Sequence, residues 1–218
     1  MMQTILIAVL TAAQAYLLGS VDTGILVSKY LYHDDVRNHG SGAAGMTNML
    51  RTFGKKAAAL TAFGDVLKGV LAVCIGRWLF TLMPESTTIS PYLAVYLAAI
   101  FAIIGHLKPL YFGFKGGKGI LSGGTLVWLL DWRVGLIAWG LFAALWLLTK
   151  YVSLGSVCAA ASMPVTTFFF CGRSLLYTAL AVLIAALVIW CHRENITRLL
   201  HHQERKFQWH TGTPKEKE

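Results

Sequence analysis

Long apolar stretches cover most of this 218-residue chain, and they restrict its fold more than any other feature. The hydrocarbon core of a bilayer is about 30 Å thick, so a helix that crosses it needs about 20 mostly apolar residues. With 56% hydrophobic and 13% charged residues, the composition excludes a disordered chain and an ordinary soluble domain. The pattern predicts an all-α, polytopic integral membrane protein with about seven transmembrane helices, at residues 4–27, 57–82, 87–105, 119–131, 134–149, 152–171 and 174–191.

Two of these stretches are short for a full crossing. The uninterrupted run at 92–104 would form a helix of about 20 Å, and the run at 120–130 is shorter still and follows a glycine cluster. Either run could form a partial or re-entrant span. The chain is therefore expected to cross the membrane five to seven times.

The positions of the basic residues predict the orientation. Lys and Arg are retained in cytoplasmic loops, and an outside N-terminus with a cytoplasmic C-terminus places 15 of the 19 on the cytoplasmic side. Because they lie between apolar stretches, the net charge of +9 does not indicate nucleic-acid binding. No Lys or Arg precedes Lys29, so the first stretch lacks the basic region of a cleavable signal. We expect one domain at 1–205 and a polar tail at 206–218.

Polar residues concentrate in three clusters on the predicted cytoplasmic side, and the first cluster covers residues 37–51. Its glycines allow a tight backbone, and Thr47 or Asn48 could cap a helix that runs through Arg51. Such a helix start and an arginine one turn later attract phosphate or carboxylate. An ordinary glycine-rich loop with basic residues at the membrane border explains the segment equally well.

The second cluster lies at residues 105–119. The small residues at 116, 117 and 119 can point consecutive backbone N–H groups into one concavity suited to phosphate, and Lys115 and Lys118 add positive charge. Gly119 stands where a nucleotide-binding P-loop has Ser or Thr, so this is not such a loop. The alternative is that the two lysines only contact lipid headgroups.

The third cluster follows the last apolar stretch. On a helix that continues past this stretch, His192, Asn195 and Arg198 step by three residues and share one face. The alternative interpretation is a solvated helix face.

One charged pair lies inside the second apolar stretch. Asp65 and Lys68 are three residues apart, and a charge without a partner is costly at bilayer depth. The two are expected to neutralise each other. They either brace the polar loops near the inner face or form only a local pair.

In their order and placement between spans, the three clusters resemble the bacterial acyl-phosphate:glycerol-3-phosphate acyltransferase family. The matching residues are Gly19-Ser20, His39 to Gly42 with Gly45, Thr47-Asn48 and Arg51, Gly54-Lys55-Lys56, Asp65 with Lys68-Gly69, Gly105-His106 with Pro109, Phe114 to Gly119, His192 to Asn195, and Arg198-Leu199. The resemblance implies a multi-pass enzyme of the bacterial inner membrane that acylates the first hydroxyl of glycerol 3-phosphate with a soluble fatty acyl phosphate. The products would be lysophosphatidate, which enters phospholipid synthesis, and phosphate.

The resemblance also implies that the enzyme uses no cofactor, no metal and no acyl-CoA. The expected partners are glycerol 3-phosphate, fatty acyl phosphate, membrane lipids and the soluble enzyme that makes acyl phosphate, and no nucleic acid is among them. Since both substrates carry phosphate, the site needs several N–H and cationic donors, and the acyl tail needs an apolar groove.

The site residues follow from this requirement. Those assigned to catalysis are Ser41, Arg51, Lys118, His192 and Asn195. Those assigned to substrate binding are Gly42, Thr47, Asn48, His106, Lys115, Gly116, Gly117, Gly119 and Arg198. Ser41, Arg51 and Lys118 are expected to hold glycerol phosphate, and the general base is either His192 or the phosphate of the donor.

The chain departs from the family pattern at three positions. Ala43 stands where Asn is usual, Asp22 where Pro is usual, and His202 where Gly is usual. A role that the family gives to the Asn is therefore not carried over to this chain. His202 is expected to affect the turn that precedes Glu204.

Two other classes of protein compete with this interpretation. An organic-phosphate transporter is favoured by the glycine-interrupted segments around 105–119, but the chain has no inverted repeat. A membrane scaffold that binds anionic lipid through its basic residues is the second alternative. It leaves the spacing of His192, Asn195 and Arg198 unexplained.

Overall fold

The computed structural model describes residues 1–84 and 90–207 of the chain. Within these residues the fold is entirely helical, with short 3₁₀ turns at Val36–Asn38 and Leu110–Phe112 and no strand. The α-helices are α1 Met2–Gly19, α2 Thr23–Tyr32, α3 Met46–Thr81, α4 Pro91–Leu107, α5 Ile120–Leu130, α6 Trp132–Thr149, α7 Val152–Phe170, α8 Leu175–Cys191 and α9 Arg193–Leu200. The predicted all-α class is confirmed.

The number of candidate membrane spans lies within the predicted range of five to seven. In the described part of the chain, five segments are long and apolar enough to cross a membrane, and α8 with α9 makes a sixth if this bent pair is one span. The predicted span at 119–131 forms only the 11-residue α5, which at 1.5 Å per residue is about half the hydrocarbon thickness. Residues 87–89 of the predicted span at 87–105 lie outside the described residues.

Helix α4 lies at the centre of the bundle. In the segment Tyr92–Phe112, which includes α4 from its second residue on, 67% of the most apolar 18 residues are buried, against 17% for Trp132–Thr149. Small side chains allow the close packing of α1 against α4, because helices associate in lipid mainly by van der Waals contact. These buried residues are Ala15 on α1 and Ala98, Ala99 and Ala102 on α4.

The outer helices expose large apolar side chains. Leu136 and Leu148 on α6 and Val165 on α7 are more than half exposed. Exposed side chains of this size are costly in water, and lipid is the solvent that suits them. The protein is therefore an integral membrane protein, as predicted.

The segment after α9 returns to the turn between α6 and α7. The Phe207 backbone N–H donates to the Lys150 carbonyl oxygen at 2.7 Å, and the Phe207 ring meets the Trp146 ring edge-on at 5.4 Å. Residues 208–218 of the predicted tail lie outside the described part. The return of the chain brings Glu204 to the start of α7.

Candidate active site

A polar cavity of about 280 Å³ opens among the beginnings of α3, α5 and α7, the middle of α6, and the bend between α8 and α9. All three predicted clusters reach it. The predicted site residues that line it are Ser41, Thr47, Asn48, Arg51, His106, Lys118, Gly119, His192, Asn195 and Arg198. Gly42, Lys115, Gly116 and Gly117 do not line it.

Asn48 organises the first cluster. Its side-chain nitrogen donates to the carbonyl oxygens of His39 and Ala43 at 2.9 and 3.0 Å, and its Oδ1 accepts from the Ser41 N–H at 3.1 Å. Because these bonds occupy the buried amide, Asn48 shapes the loop around Ser41. Asn48 also lines the cavity, and its assignment to substrate binding stays a prediction.

Helix α3 begins earlier than the sequence indicated. Gly45 is the N-cap, without a side-chain cap, so the predicted capping role of Thr47 or Asn48 is wrong. The helix does run through Arg51, but it is broken at Gly54, whose φ of 85° and ψ of −170° favour glycine. The break lets the short segment before Gly54, which carries Arg51, take its own direction at the cavity wall.

The glycine-rich loop after α4 packs against the end of that helix. The Gly117 N–H donates to the His106 carbonyl oxygen at 3.1 Å, so the predicted row of free N–H groups is interrupted. The Lys115 side chain is exposed, whereas Lys118 reaches the cavity. Only the last two residues of the loop, Lys118 and Gly119, line the polar cavity.

A hydrogen-bond network connects Lys118 to Glu204. The Lys118 ammonium donates to Asn195 Oδ1, and the Asn195 amide donates to Glu204 Oε1 at 2.7 Å. Ser153 and Arg198 also donate to the Glu204 carboxylate, both at 2.8 Å. Burial, and next the charge of Arg198, lowers the pKa of Lys118. An anion in the cavity would therefore meet a poorly solvated cation.

One ring nitrogen of His192, a residue that lines the same cavity, has no hydrogen-bond partner among the described residues. Its ring is buried, and Nδ1 lies 2.8 Å from the Val188 carbonyl oxygen. Since a carbonyl oxygen only accepts, Nδ1 carries the hydrogen and Nε2 has the lone pair. His192 in this tautomer can accept a proton at Nε2.

The third cluster is not on one continuous helix. The chain bends by 61° between α8 and α9, and His192 stands at the bend. His192, Asn195 and Arg198 nevertheless all line the polar cavity, as their spacing suggested. The bend turns α9 across the end of the bundle.

An apolar cleft of about 70 Å³ continues from the polar cavity between α5, α6, α7 and α8. Gly119, Ile120, Trp139, Phe142 and Ser156 line both. The far part of the cleft is lined by Val127, Ala138, Met163 and Ile184. The site thus has a cationic region and an adjoining apolar region.

A buried charged group underlies the polar cavity. The predicted pair is present, with Lys68 Nζ 2.9 Å from Asp65 Oδ1. His106 Nδ1 lies 2.7 Å from the same Lys68 nitrogen, and Asp22 Oδ2 lies 3.9 Å from His106 Nδ1. Asp22, which departs from the family pattern, is fully buried and caps α2 by accepting from the Ile25 N–H at 3.4 Å.

Known proteins match both the sequence and this fold. A sequence model described as glycerol-3-phosphate acyltransferase matches residues 9–202. The chain belongs to this family. A glycerol-3-phosphate acyltransferase of Prochlorococcus marinus (strain MIT 9215) is 42% identical over 193 residues, which are 88% of this chain and 93% of the relative. The enzyme of Clostridioides difficile (strain 630) is 41% identical over 198 residues, 91% and 94% of the two chains.

Solved structures agree. The crystal structure of PlsY, an integral membrane glycerol 3-phosphate acyltransferase, in its glycerol 3-phosphate form has a TM-score of 0.80 and 35% identity, and covers 92% of this chain and 96% of that one. Its lysophosphatidic acid form has a TM-score of 0.76 and 33% identity, and the covered shares are 92% and 95%. The protein is therefore a membrane-integral acyltransferase.

Sequence reasoning missed part of this acyltransferase site. Glu204, Ser153 and Arg205 line the cavity but were not assigned to it. Glu204 is the first carboxylate after Arg198 in the sequence, but their separation of six residues is not a helical ion-pair spacing, so the contact depends on the turn that contains His202. Ser153 has no local signal, because its contact with Glu204 depends on the return of the chain to α7.

Proposed function

We propose that this protein transfers a fatty acyl group from acyl phosphate to the sn-1 hydroxyl of glycerol 3-phosphate, which gives lysophosphatidate and inorganic phosphate. The observation that carries the proposal is the continuity of a cationic cavity with an apolar cleft. One reacting molecule, acyl phosphate, has this combination of an anionic head and an apolar tail. Residues 1–205 form the active domain, and the cavity faces the cytoplasm across a bacterial inner membrane.

The cavity residues suit two phosphate groups. Arg51, Lys118 and Ser41 hold glycerol phosphate, since a guanidinium, an ammonium and a hydroxyl donate hydrogen bonds to phosphate oxygens. Arg198 and the loop ending at Gly119 hold the acyl phosphate, whose chain enters the cleft beside Trp139. In this arrangement both substrates meet near the boundary between polar and apolar linings.

The reaction needs orientation and a proton acceptor. The sn-1 oxygen of glycerol 3-phosphate attacks the acyl carbonyl carbon, the bond from this carbon to the phosphate oxygen breaks, and phosphate leaves. The proton of the hydroxyl passes to His192 Nε2 or to a phosphate oxygen of the donor. Acyl phosphate is an activated anhydride, so positioning and positive charge supply most of the acceleration.

Phosphate release by the purified protein in lipid mesophase or detergent tests the proposal. With palmitoyl phosphate, release should require glycerol 3-phosphate and should fall by about 10²-fold or more in Lys118→Ala and in Arg51→Ala. The matched control is Lys55→Ala, which removes an exposed lysine outside the cavity. No release by folded protein that binds glycerol 3-phosphate would reject the transferase and favour a transporter.

A second comparison addresses the proton acceptor. If His192 is the base, His192→Gln lowers the turnover number by about 10²-fold or more, because general base catalysis contributes about that much. If the phosphate of the donor is the base, the same variant loses much less. The folded state of each variant is checked by its thermal unfolding midpoint.

A further inference from the structure

His192 and His106 both line the polar cavity, but their hydrogen-bonding patterns are opposite. Nδ1 of His192 donates to a carbonyl oxygen, whereas Nδ1 of His106 accepts from Lys68. Lys68 Nζ lies 2.7 Å from His106 Nδ1, 2.9 Å from Asp65 Oδ1 and 3.0 Å from the Val21 carbonyl oxygen. An ammonium group has three hydrogens and accepts none. The Val21 carbonyl oxygen and His106 Nδ1 therefore accept hydrogen bonds from this ammonium, and Asp65 Oδ1 lies within ion-pair distance of it.

The neighbouring carboxylates do not contact this nitrogen. Asp22 Oδ2 and Asp65 Oδ1 lie 3.9 and 3.8 Å from His106 Nδ1, which is beyond hydrogen-bond distance. Lys68 is thus the group that decides the state of Nδ1. With a lone pair at Nδ1, neutral His106 carries its hydrogen at Nε2.

The Nε2 edge of His106 faces the glycine-rich loop and the cavity. A Cβ atom built at Gly117 would overlap Nε2, and His106 lines the cavity together with Lys118. The His106 side chain is 2% exposed, and no residue in the described ranges accepts a hydrogen bond from Nε2. A nearly buried N–H donor without a protein acceptor is therefore directed at the place where substrate phosphate is expected.

We propose that His106 donates its Nε2–H to a phosphate oxygen of a substrate and that Lys68 is a positioning residue that fixes this tautomer. The inference rests on the proposed function for the identity of the anion. It assigns a substrate acceptor to the Nε2–H of His106, which has no acceptor among the described residues. It also means that the buried Asp65–Lys68 pair positions a substrate-binding side chain. His106 and His192 then act as a donor and an acceptor on the same cavity.

Two amide variants separate the nitrogens of the ring. Gln places its amide nitrogen near the position of Nε2, whereas the shorter Asn places its amide near Nδ1. His106→Asn should keep an acceptor for Lys68 and lose the donor to phosphate. His106→Gln should keep the donor and leave Lys68 one acceptor short.

The proposal therefore predicts that His106→Asn weakens substrate binding more than His106→Gln does, whereas His106→Gln destabilises the fold more than His106→Asn does. His106→Asn should raise the KM of one phosphate substrate by about tenfold or more, the effect of one lost hydrogen bond to a charged group, with a smaller change in kcat. His106→Gln should stay within about threefold of the wild-type KM and have the lower unfolding midpoint. Glycerol 3-phosphate and palmitoyl phosphate are varied separately to identify the substrate, and His201→Asn, at an exposed histidine, is the control.

The tautomer can be measured without any activity. In nitrogen NMR of protein with ring-labelled histidine, the signals absent from His106→Gln belong to His106, and they should show hydrogen at Nε2 only. In Lys68→Met with Asp65→Asn, which keeps the charge balance, they should shift toward a mixture of tautomers. Hydrogen at Nδ1 in the wild type, or a wild-type KM for both substrates in His106→Asn, would overturn the proposal. If the wild type released no phosphate, the proposed function would fail while the NMR result still stood.

Discussion

The Glu204 carboxylate holds together side chains from α7 and α9. It accepts hydrogen bonds from Ser153, Asn195 and Arg198, and through Asn195 it orients the Lys118 ammonium. Burial by itself raises the pKa of Glu204, but the three hydrogen bonds outweigh it and lower the pKa. The folded state therefore favours the charged carboxylate.

This pKa shift predicts acid sensitivity. A carboxylate with a lowered pKa in the folded state adds stability above its ordinary pKa of 4.5, and this stability is lost as the pH falls through the lower, folded value. The thermal unfolding midpoint of Glu204→Gln should be below that of the wild type at pH 7 and should fall less between pH 5 and pH 3. Glu194→Gln, at an exposed position, should keep the wild-type profile. Identical acid profiles for Glu204→Gln and the wild type would contradict this role.

His202 is in a backbone conformation that suits glycine. Its φ is 56°, and the turn it forms is closed by the Gln203 N–H, which donates to the Arg198 carbonyl oxygen at 2.7 Å. The left-handed conformation costs a non-glycine residue about 1 kcal/mol. The turn before Glu204 therefore forms in spite of the histidine, in a conformation that glycine would adopt with less strain.

His202→Gly should accordingly stabilise the protein, by up to about 1 kcal/mol, because the strain disappears. Its neighbour His201 has φ −93° and gains nothing from the same change, so His201→Gly is the matched control. Thermal unfolding of the purified proteins measures both. Equal shifts in the two variants would show that the conformation at 202 carries no strain.

The sequence indicated which charged and imidazole side chains matter, but it did not indicate what each polar side chain contacts. In an apolar chain a charged or imidazole side chain needs a reason to be present, which is why Arg51, Lys118 and His192 could be singled out. The role of Asn48 could not, because its partners are backbone groups of a folded loop. A side chain that binds substrate and one that shapes the loop for it have the same local sequence.

At the scale of the elements, Arg37 joins the loop of the first cluster to the glycine-rich loop after α4. Its Nη1 donates to the carbonyl oxygens of Phe112 and Lys115 at 2.9 and 3.1 Å, and Asp35 holds the other side of the guanidinium at 2.7 Å. The hydrogen bonds from Arg37 lower the pKa of Asp35 to about 2. The pair stays charged at any physiological pH and fixes the glycine-rich loop beside the first cluster.

Arg37→Lys should loosen this loop, because an ammonium cannot bind Asp35 and both carbonyl oxygens with the geometry of a guanidinium. The free energy of unfolding is expected to fall by about 1–3 kcal/mol. Limited proteolysis should become faster between residues 108 and 119. Arg193→Lys, at an exposed arginine, is the control, and unchanged proteolysis in Arg37→Lys would contradict the role of this contact.

At the scale of the whole molecule, the bundle separates the two chemical parts of the site. The polar cavity lies at the end of the bundle, and the apolar cleft runs from it between α5, α6, α7 and α8. The short α5 begins at this junction, where Gly119 and Ile120 line both spaces. The acyl chain of a bound molecule can therefore occupy the apolar cleft while the phosphate of the same molecule stays in the polar cavity.

Filling the cleft should discriminate between donors. Ala138 is buried at the far part of the cleft, and Ala138→Leu should raise the KM for palmitoyl phosphate by about tenfold while octanoyl phosphate is affected much less, since a short chain does not reach that depth. Ala144→Leu, on the exposed face of the same helix, should leave both unchanged. Equal effects on both donors in Ala138→Leu would place the acyl chain elsewhere.

The helical class and the bounds of most spans could be predicted, because apolar length is a direct requirement of the bilayer. The sequence limited the number of spans to five to seven but did not fix it, since α5 ends at Leu130 after only 11 residues and α8 continues only after a bend at His192. The apolar cleft was expected only because the acyl tail of the substrate needs an apolar groove. Its walls come from four helices that no local pattern brings together.

The position of Glu204 in the chain also has a consequence for biosynthesis. Chains fold as they emerge from the ribosome, and Glu204 is translated after every helix that lies in the described ranges. Until it arrives, Asn195, Arg198 and Ser153 have no carboxylate to bind, and the wall of the cavity stays open. The contacts that close this wall of the cavity are therefore made only when one of the last described parts of the chain has been synthesised.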